Sequence, residues 1–160
     1  MTLTIVNAAL VLTTVVALGQ TLPTAPEACA LVTPAEAVAI IGAPARAPRV
    51  GAFAPNTCLI QSDATPADSY INITLDTVAT LKAQGMSDAK QAYDGLKRGT
   101  DDAEAVAGAG DSAFFSKTNN GLYVLKGTKF TSVLISPALM QREPSVAALK
   151  KLAAAIAARM

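Results

Sequence analysis

Four carboxylates crowd one short stretch of this chain: Asp101, Asp102, Glu104 and Asp111. Carboxylates in proximity suit two kinds of chemistry, acid–base hydrolysis of a glycosidic bond and coordination of a hard cation such as calcium. Their spacing departs from the EF-hand loop, which sets oxygen donors at alternate positions and closes on a late Glu. A glycosidase also wants aromatic platforms for its sugar rings, and the chain has no Trp. The simpler reading is a solvated acidic loop whose glycines, Gly108 and Gly110, make turns. Asp101, Asp102 and Asp111 remain candidate contacts to a ligand or partner. Phe115 and Tyr123 join them from the aromatic group Phe114, Phe115, Tyr123 and Phe130. Those rings fall in adjacent short runs, so about half of them face a core in any sheet and the rest are candidates for a recognition strip.

The chain contains no histidine. That removes Ser-His-Asp and Cys-His arrangements, His-based metal sites and the commonest general base together. Gly108-Ala109-Gly110 lacks the third glycine of a dinucleotide fingerprint and precedes a strand pattern rather than a helix. The two cysteines, Cys29 and Cys58, do not form a C-x-x-C redox pair. No residue is assigned a catalytic, cofactor-binding or metal-ligating role, and no cofactor is expected. With 13 basic and 12 acidic residues, the chain has no electrostatic footprint for nucleic acid. It has no polybasic stretch for an anionic membrane either.

The cysteines gain meaning from the start of the chain. Its first charged residue is Glu27, and residues 5–18 are almost unbroken apolar sequence ending at Gly19. This is the apolar region and small-residue end of a secretory signal peptide, residues 1–19, although no Lys or Arg precedes it. At about 14 residues the run is shorter than a membrane-spanning helix, so no stable span is expected after cleavage. An uncleaved anchor or a buried N-terminal element are the alternatives. Residues 20–28 are Pro-rich and read as a tether, and residues 29–160 have the length of a single domain. An exported chain meets an oxidising compartment, where an even cysteine pair reads as a Cys29–Cys58 disulfide rather than two buried thiols.

Within that domain, Thr33-Pro34-Ala35-Glu36 opens a helix with the pattern of a capping box, and Gly42 ends it. Prolines 44, 48 and 55 leave residues 45–54 at best an edge strand. Residues 57–62 and 70–78 read as strands, the second alternating Ile71, Ile73, Leu75 against Asn72, Thr74, Asp76. A helix with Ser87 as candidate cap carries Ala89, Ala92, Tyr93 and Leu96. Residues 113–117, 122–126 and 129–136 form a meander, with Asn120-Gly121 and Gly127-Thr128 at its turns. The closing helix carries Val146, Leu149, Leu152 and Ile156, with Ser145 as candidate cap. The expected fold is α+β, an antiparallel sheet of five to six strands with helices packed on one face, in the order helix, strands, helix, strands, helix.

Cys29, residues 33–36, Gly42, Cys58, residues 108–115 and residues 122–127 together resemble a group of small exported bacterial proteins of unknown function. The layout is similar to mycobacterial exported lipoproteins and to the extracellular sensor domain of PknH-type kinases. Unlike the lipoproteins, this chain has no lipobox cysteine. The resemblance implies a fold and an exported location, and it implies no catalytic residue. The expected function is a non-catalytic binding domain of the periplasm or cell envelope, with a protein, peptide or glycan partner. Two alternatives stand beside it. One is a small envelope hydrolase using the acidic-loop carboxylates. The other is a secreted inhibitor presenting Asn119 and Asn120, or Gly127 and Thr128.

Overall fold

A computed structural model describes residues 27–51, 54–64 and 68–160. The expected signal peptide and all but the last two residues of the expected tether lie outside the described residues. Those last two, Glu27 and Ala28, already belong to the folded body. They open a 3-10 turn, Glu27–Leu31, and Ala28 is buried. In the helix that follows, α1 (Pro34–Ile41), the Glu36 backbone N–H donates to Thr33 Oγ1 and Glu36 Oε2 accepts from the Thr33 N–H. Both orphan donors of the first turn are thereby satisfied. Gly42 ends the helix in the left-handed region, at φ 72°.

The strands are β1 (Arg49–Val50), β2 (Thr57–Gln61), β3 (Tyr70–Asp76), β4 (Glu104–Ala105), β5 (Ser112–Ser116), β6 (Gly121–Lys126) and β7 (Lys129–Ile135). Four further helices are α2 (Val78–Ala83), α3 (Ala89–Arg98), α4 (Pro137–Met140) and α5 (Glu143–Arg159). All seven strands join one antiparallel sheet in the order β1-β2-β3-β7-β6-β5-β4. The sheet is wider than the five to six strands expected, and the strand that sequence pattern does not reveal is β4. It lies inside the acidic loop, and two residues are too few to show an alternation. Both edges are two-residue strands, which limits the unpaired backbone offered to a neighbouring chain.

Helices cover both faces of the sheet, not one. Ile71, Ile73, Leu75, Phe115, Leu122, Val124, Val133 and Ile135 point to one side, where α1, α5 and the 3-10 turn bury them. Phe114, Tyr123, Leu125 and Phe130 point to the other, under Leu81 of α2 and Ala89 and Tyr93 of α3. Consecutive apolar residues such as Phe114-Phe115 and Leu122-Tyr123-Val124-Leu125 are the mark of strands buried on both sides. Three local expectations also shift. The N-cap of α3 is Asp88, whose carboxylate accepts from the Gln91 N–H at 2.8 Å, with Ser87 bonded behind it. Ser145 is not the cap of α5 but a buried residue in its first turn. Gly121 is the first residue of β6, not a turn position; a Cβ there would collide with Leu134.

Cross-links tie the 3-10 turn and α1 to the sheet and to α5. Cys29 in the turn and Cys58 in β2 form a disulfide. Arg142 Nη1 donates to the Ile41 carbonyl at 2.6 Å, capping the C-terminus of α1. At the other end of α5, Arg159 donates to both Glu36 oxygens, at 2.7 and 2.8 Å, and to the Leu31 carbonyl. One arginine at each end of α5 therefore clasps α1 along its length. No helix among the described residues is long and apolar enough to cross a membrane.

Candidate functional site

The acidic loop divides: Asp102 and Glu104 line one cavity of about 260 Å³ with Phe115, Glu143 and Lys150, whereas Asp101 and Asp111 are not part of its wall. Asp102 accepts from Ser116 Oγ at 2.6 Å and from the Thr118 N–H at 2.8 Å, which fixes the turn between β5 and β6. The Ser116 hydroxyl holds its carboxyl down at about 2, and the Thr118 N–H adds to this. Asp111 accepts from the Gly127 N–H at 2.6 Å and fixes the next turn, between β6 and β7. Because Asp111 precedes β5 and Asp102 is bonded to its last residue, the backbone positions they hold lie roughly 17 Å apart along the strand. Glu104 on β4 accepts twice from Lys150 of α5, at 2.7 and 2.8 Å. Asp101 is exposed. Among the described residues no group of three or more His, Cys, Asp or Glu is placed to hold a metal ion.

Phe115 and Tyr123, the aromatic candidates, are buried at 4% and 5% exposure. They also point to opposite sides of the sheet, so they cannot share a recognition strip. Lys150 Nζ sits 4.6 Å above the centre of the Phe115 ring, which fastens α5 to that face. Tyr123 stacks on Phe114 at 4.6 Å and donates to the Asn119 carbonyl at 3.3 Å. Burial pushes its hydroxyl up to about 12. Both rings belong to the core, and Phe115 also forms part of the wall of the cavity beside Asp102 and Glu104.

What the fold leaves open is a floor. On the side of the sheet that carries α2 and α3, helix α3 packs on β6 and β7, and α2 reaches the end of β3. The register lines up Arg49, Leu59, Asn72 and Leu134 across β1, β2, β3 and β7, beside Gln61 with Tyr70 and Thr74 with Ser132. Apart from the exposed Arg49, these residues are half-buried; Leu134 packs against the cluster under α2 and α3 and forms the inner rim, while the β1 and β2 positions lie beyond the reach of those helices. The surface is mixed, with Leu59, Leu134 and the Tyr70 ring interleaved with amides and hydroxyls. Its one charge, Arg49, donates to Gln61 Oε1. A surface of this kind suits a neutral ligand that offers both hydrogen bonds and apolar contact.

Sequence reasoning missed the floor because it is defined by what does not pack on it. The alternation in residues 70–76 marks a face that is not core, and Asn72 and Thr74 are the signal that was available. Which helix would leave that face bare is a tertiary question. No protein-family model, no curated protein and no solved structure matches this chain.

Proposed function

We propose that this chain is an exported, non-catalytic binding domain of the bacterial periplasm or cell envelope. Its partner is a protein, peptide or glycan, received on the floor formed by Leu59, Gln61, Tyr70, Asn72 and Leu134. The half-covered sheet face carries the reading. Two further observations support it. Three of the four acidic-loop carboxylates are engaged in holding turns and a helix; Asp102 and Glu104, which line one small cavity with Glu143, are already bonded to Ser116 and Lys150, which counts against the hydrolase alternative. The Cys29–Cys58 disulfide is compatible with an oxidising compartment. The resemblance of the sequence layout to exported bacterial proteins is in keeping with this reading.

Two measurements test this. The chain recovered from the periplasm or medium of an expressing bacterium should begin at Gln20 by intact mass and N-terminal sequencing. A full-length chain confined to the cytosol would overturn the export reading. For binding, a photo-crosslinking residue at Asn72 should yield a discrete adduct in intact cells, whereas one at Lys90, exposed on α3, should not. Equal labelling at both positions, or none at Asn72, would remove the floor as the binding surface.

A further inference from the structure

A second surface lies at the edge of the sheet, on the side opposite the floor. Among the described residues only two large hydrophobic side chains are exposed, Val38 at 42% and Val50 at 38%. They belong to the same corner. Val38 lies on the outer side of α1. Val50 is on the edge strand β1 and, through its pairing with Cys58, sits on the α1 side of the sheet. Beside Val38, and reached from β1 through Pro48, opens a cavity of about 220 Å³ walled by Pro34, Ala37, Val38, Ala45, Pro48 and Ile60. Ile60 is buried in β2, so the cavity reaches down to the core. This volume is below the ~300–1,000 Å³ of a small-molecule pocket and suits a single side chain.

The backbone at this corner is also available. The Gly51 N–H turns inward to the Thr57 carbonyl at 2.7 Å. Antiparallel pairing alternates inward and outward groups, so Val50 turns its N–H and C=O away from β2, toward the edge that no other described strand pairs with. One residue's worth of edge, preceded by Pro48, is too little to hold a strand by backbone bonds alone. An anchoring side chain in the cavity has to supply the rest, as in strand-addition recognition where pockets take alternate side chains.

Charge selects the occupant. Among the described residues, Arg46 is the one charged residue lining the cavity, and its side chain is half-exposed at the rim, where its described partner is the exposed Asp63 at 3.3 Å. Arg49, three residues later on the edge strand, turns its side chain to the floor side and donates to Gln61, so it adds to the charge of the edge and not to the cavity. Two copies of this chain pairing edge to edge would bring these arginines together, which disfavours a second copy as the occupant. We propose that the corner between α1 and β1 docks an extended peptide segment of another protein, which places one apolar side chain in the cavity and an acidic residue beside Arg46. The site is independent of the floor, since the two occupy opposite faces.

The probes are end-blocked octapeptides with Glu-X-Glu at their centre, X being Val, Leu, Ile or Phe, added to isotope-labelled full-length protein. At least one should shift the NMR signals of Val38, Ala45, Val50 and Ile60 together. Replacing its X by Asn should weaken binding at least tenfold, and replacing both Glu by Lys at least threefold. Val38→Asp, at an exposed position that leaves the core intact, should abolish the shifts without altering the melting transition, and Arg46→Glu should invert the preference for Glu over Lys. Absence of shifts with all four peptides at about 2 mM would overturn the proposal. So would binding indifferent to Val38→Asp, or a concentration-dependent dimer lost in Val50→Asp, which would give the corner to a second copy. Crosslinking at Asn72 should be unchanged in Val38→Asp, so failure at one surface is distinguishable from failure at the other.

Discussion

At the scale of single residues, Glu36 holds more of the structure than any other carboxylate described. It closes the capping box of α1, sits where the helix dipole favours negative charge, and pairs with Arg159 across the molecule. The Arg159 guanidinium holds its carboxyl down from 4.5 to about 2, with the Thr33 backbone N–H and hydroxyl contributing. A carboxyl depressed by folding binds fewer protons in the folded state. Its stabilisation is therefore complete above about pH 4.5, declines as pH falls, and is gone below about 2. Glu36→Gln should lower stability near neutrality by about 1 kcal/mol and flatten the acid limb between those values, as read by urea unfolding at a series of pH values. Half of this was legible in advance. Thr33, Pro34 and Glu36 announce the cap within four residues, whereas Arg159 lies at the far end of the chain and no local pattern connects it to α1. The acidic loop shows the same limit. Asp102 and Asp111 look like a cluster along the chain because they are close in number, and β5 then separates them.

At the scale of elements, the turns show where glycine is required and where it is merely convenient. Gly110 has φ 60°, and a Cβ there would run into the Leu125 carbonyl of the neighbouring strand. Gly108 has φ 75° with open space around it. Gly108→Ala should therefore cost only the backbone strain, about 1 kcal/mol, while Gly110→Ala should cost about 2 kcal/mol or more. Equilibrium unfolding of the two variants side by side measures the difference, and equal costs would mean that the close approach of Leu125 carries no weight. The expected two-residue turn at Gly127-Thr128 is present, with Lys126 paired to Lys129 and Gly127 at φ 56°. At Asn120 the structure chooses a longer turn, because burial of Gly121 beneath Leu134 outweighs the local preference of an Asn-Gly pair for a tight one. Alternation along residues 70–76 was readable from sequence. The pairing of α2 and α3 with the second face was not, since an amphipathic helix does not state which face it will cover.

At the scale of the whole molecule, the fold is a sheet enclosed on one side and half-enclosed on the other, with the Cys29–Cys58 bond joining its N-terminal turn to an inner strand. The chain-entropy model gives about 3–4 kcal/mol for closing a loop with the observed separation of 29 residues. Replacing both cysteines by serine should reduce unfolding free energy by about that amount, and intact mass after alkylation should show no reactive thiol until the protein is reduced. The bond has a mechanical consequence as well. A pull applied at Glu27 reaches Cys29 and then crosses directly into β2, which is hydrogen-bonded along its length to β3. Helix α1 and the Pro-rich corner between Cys29 and Cys58 lie off that load path. Tension entering through the segment before Glu27 is therefore borne by the sheet, and the α1–β1 corner keeps its shape under strain.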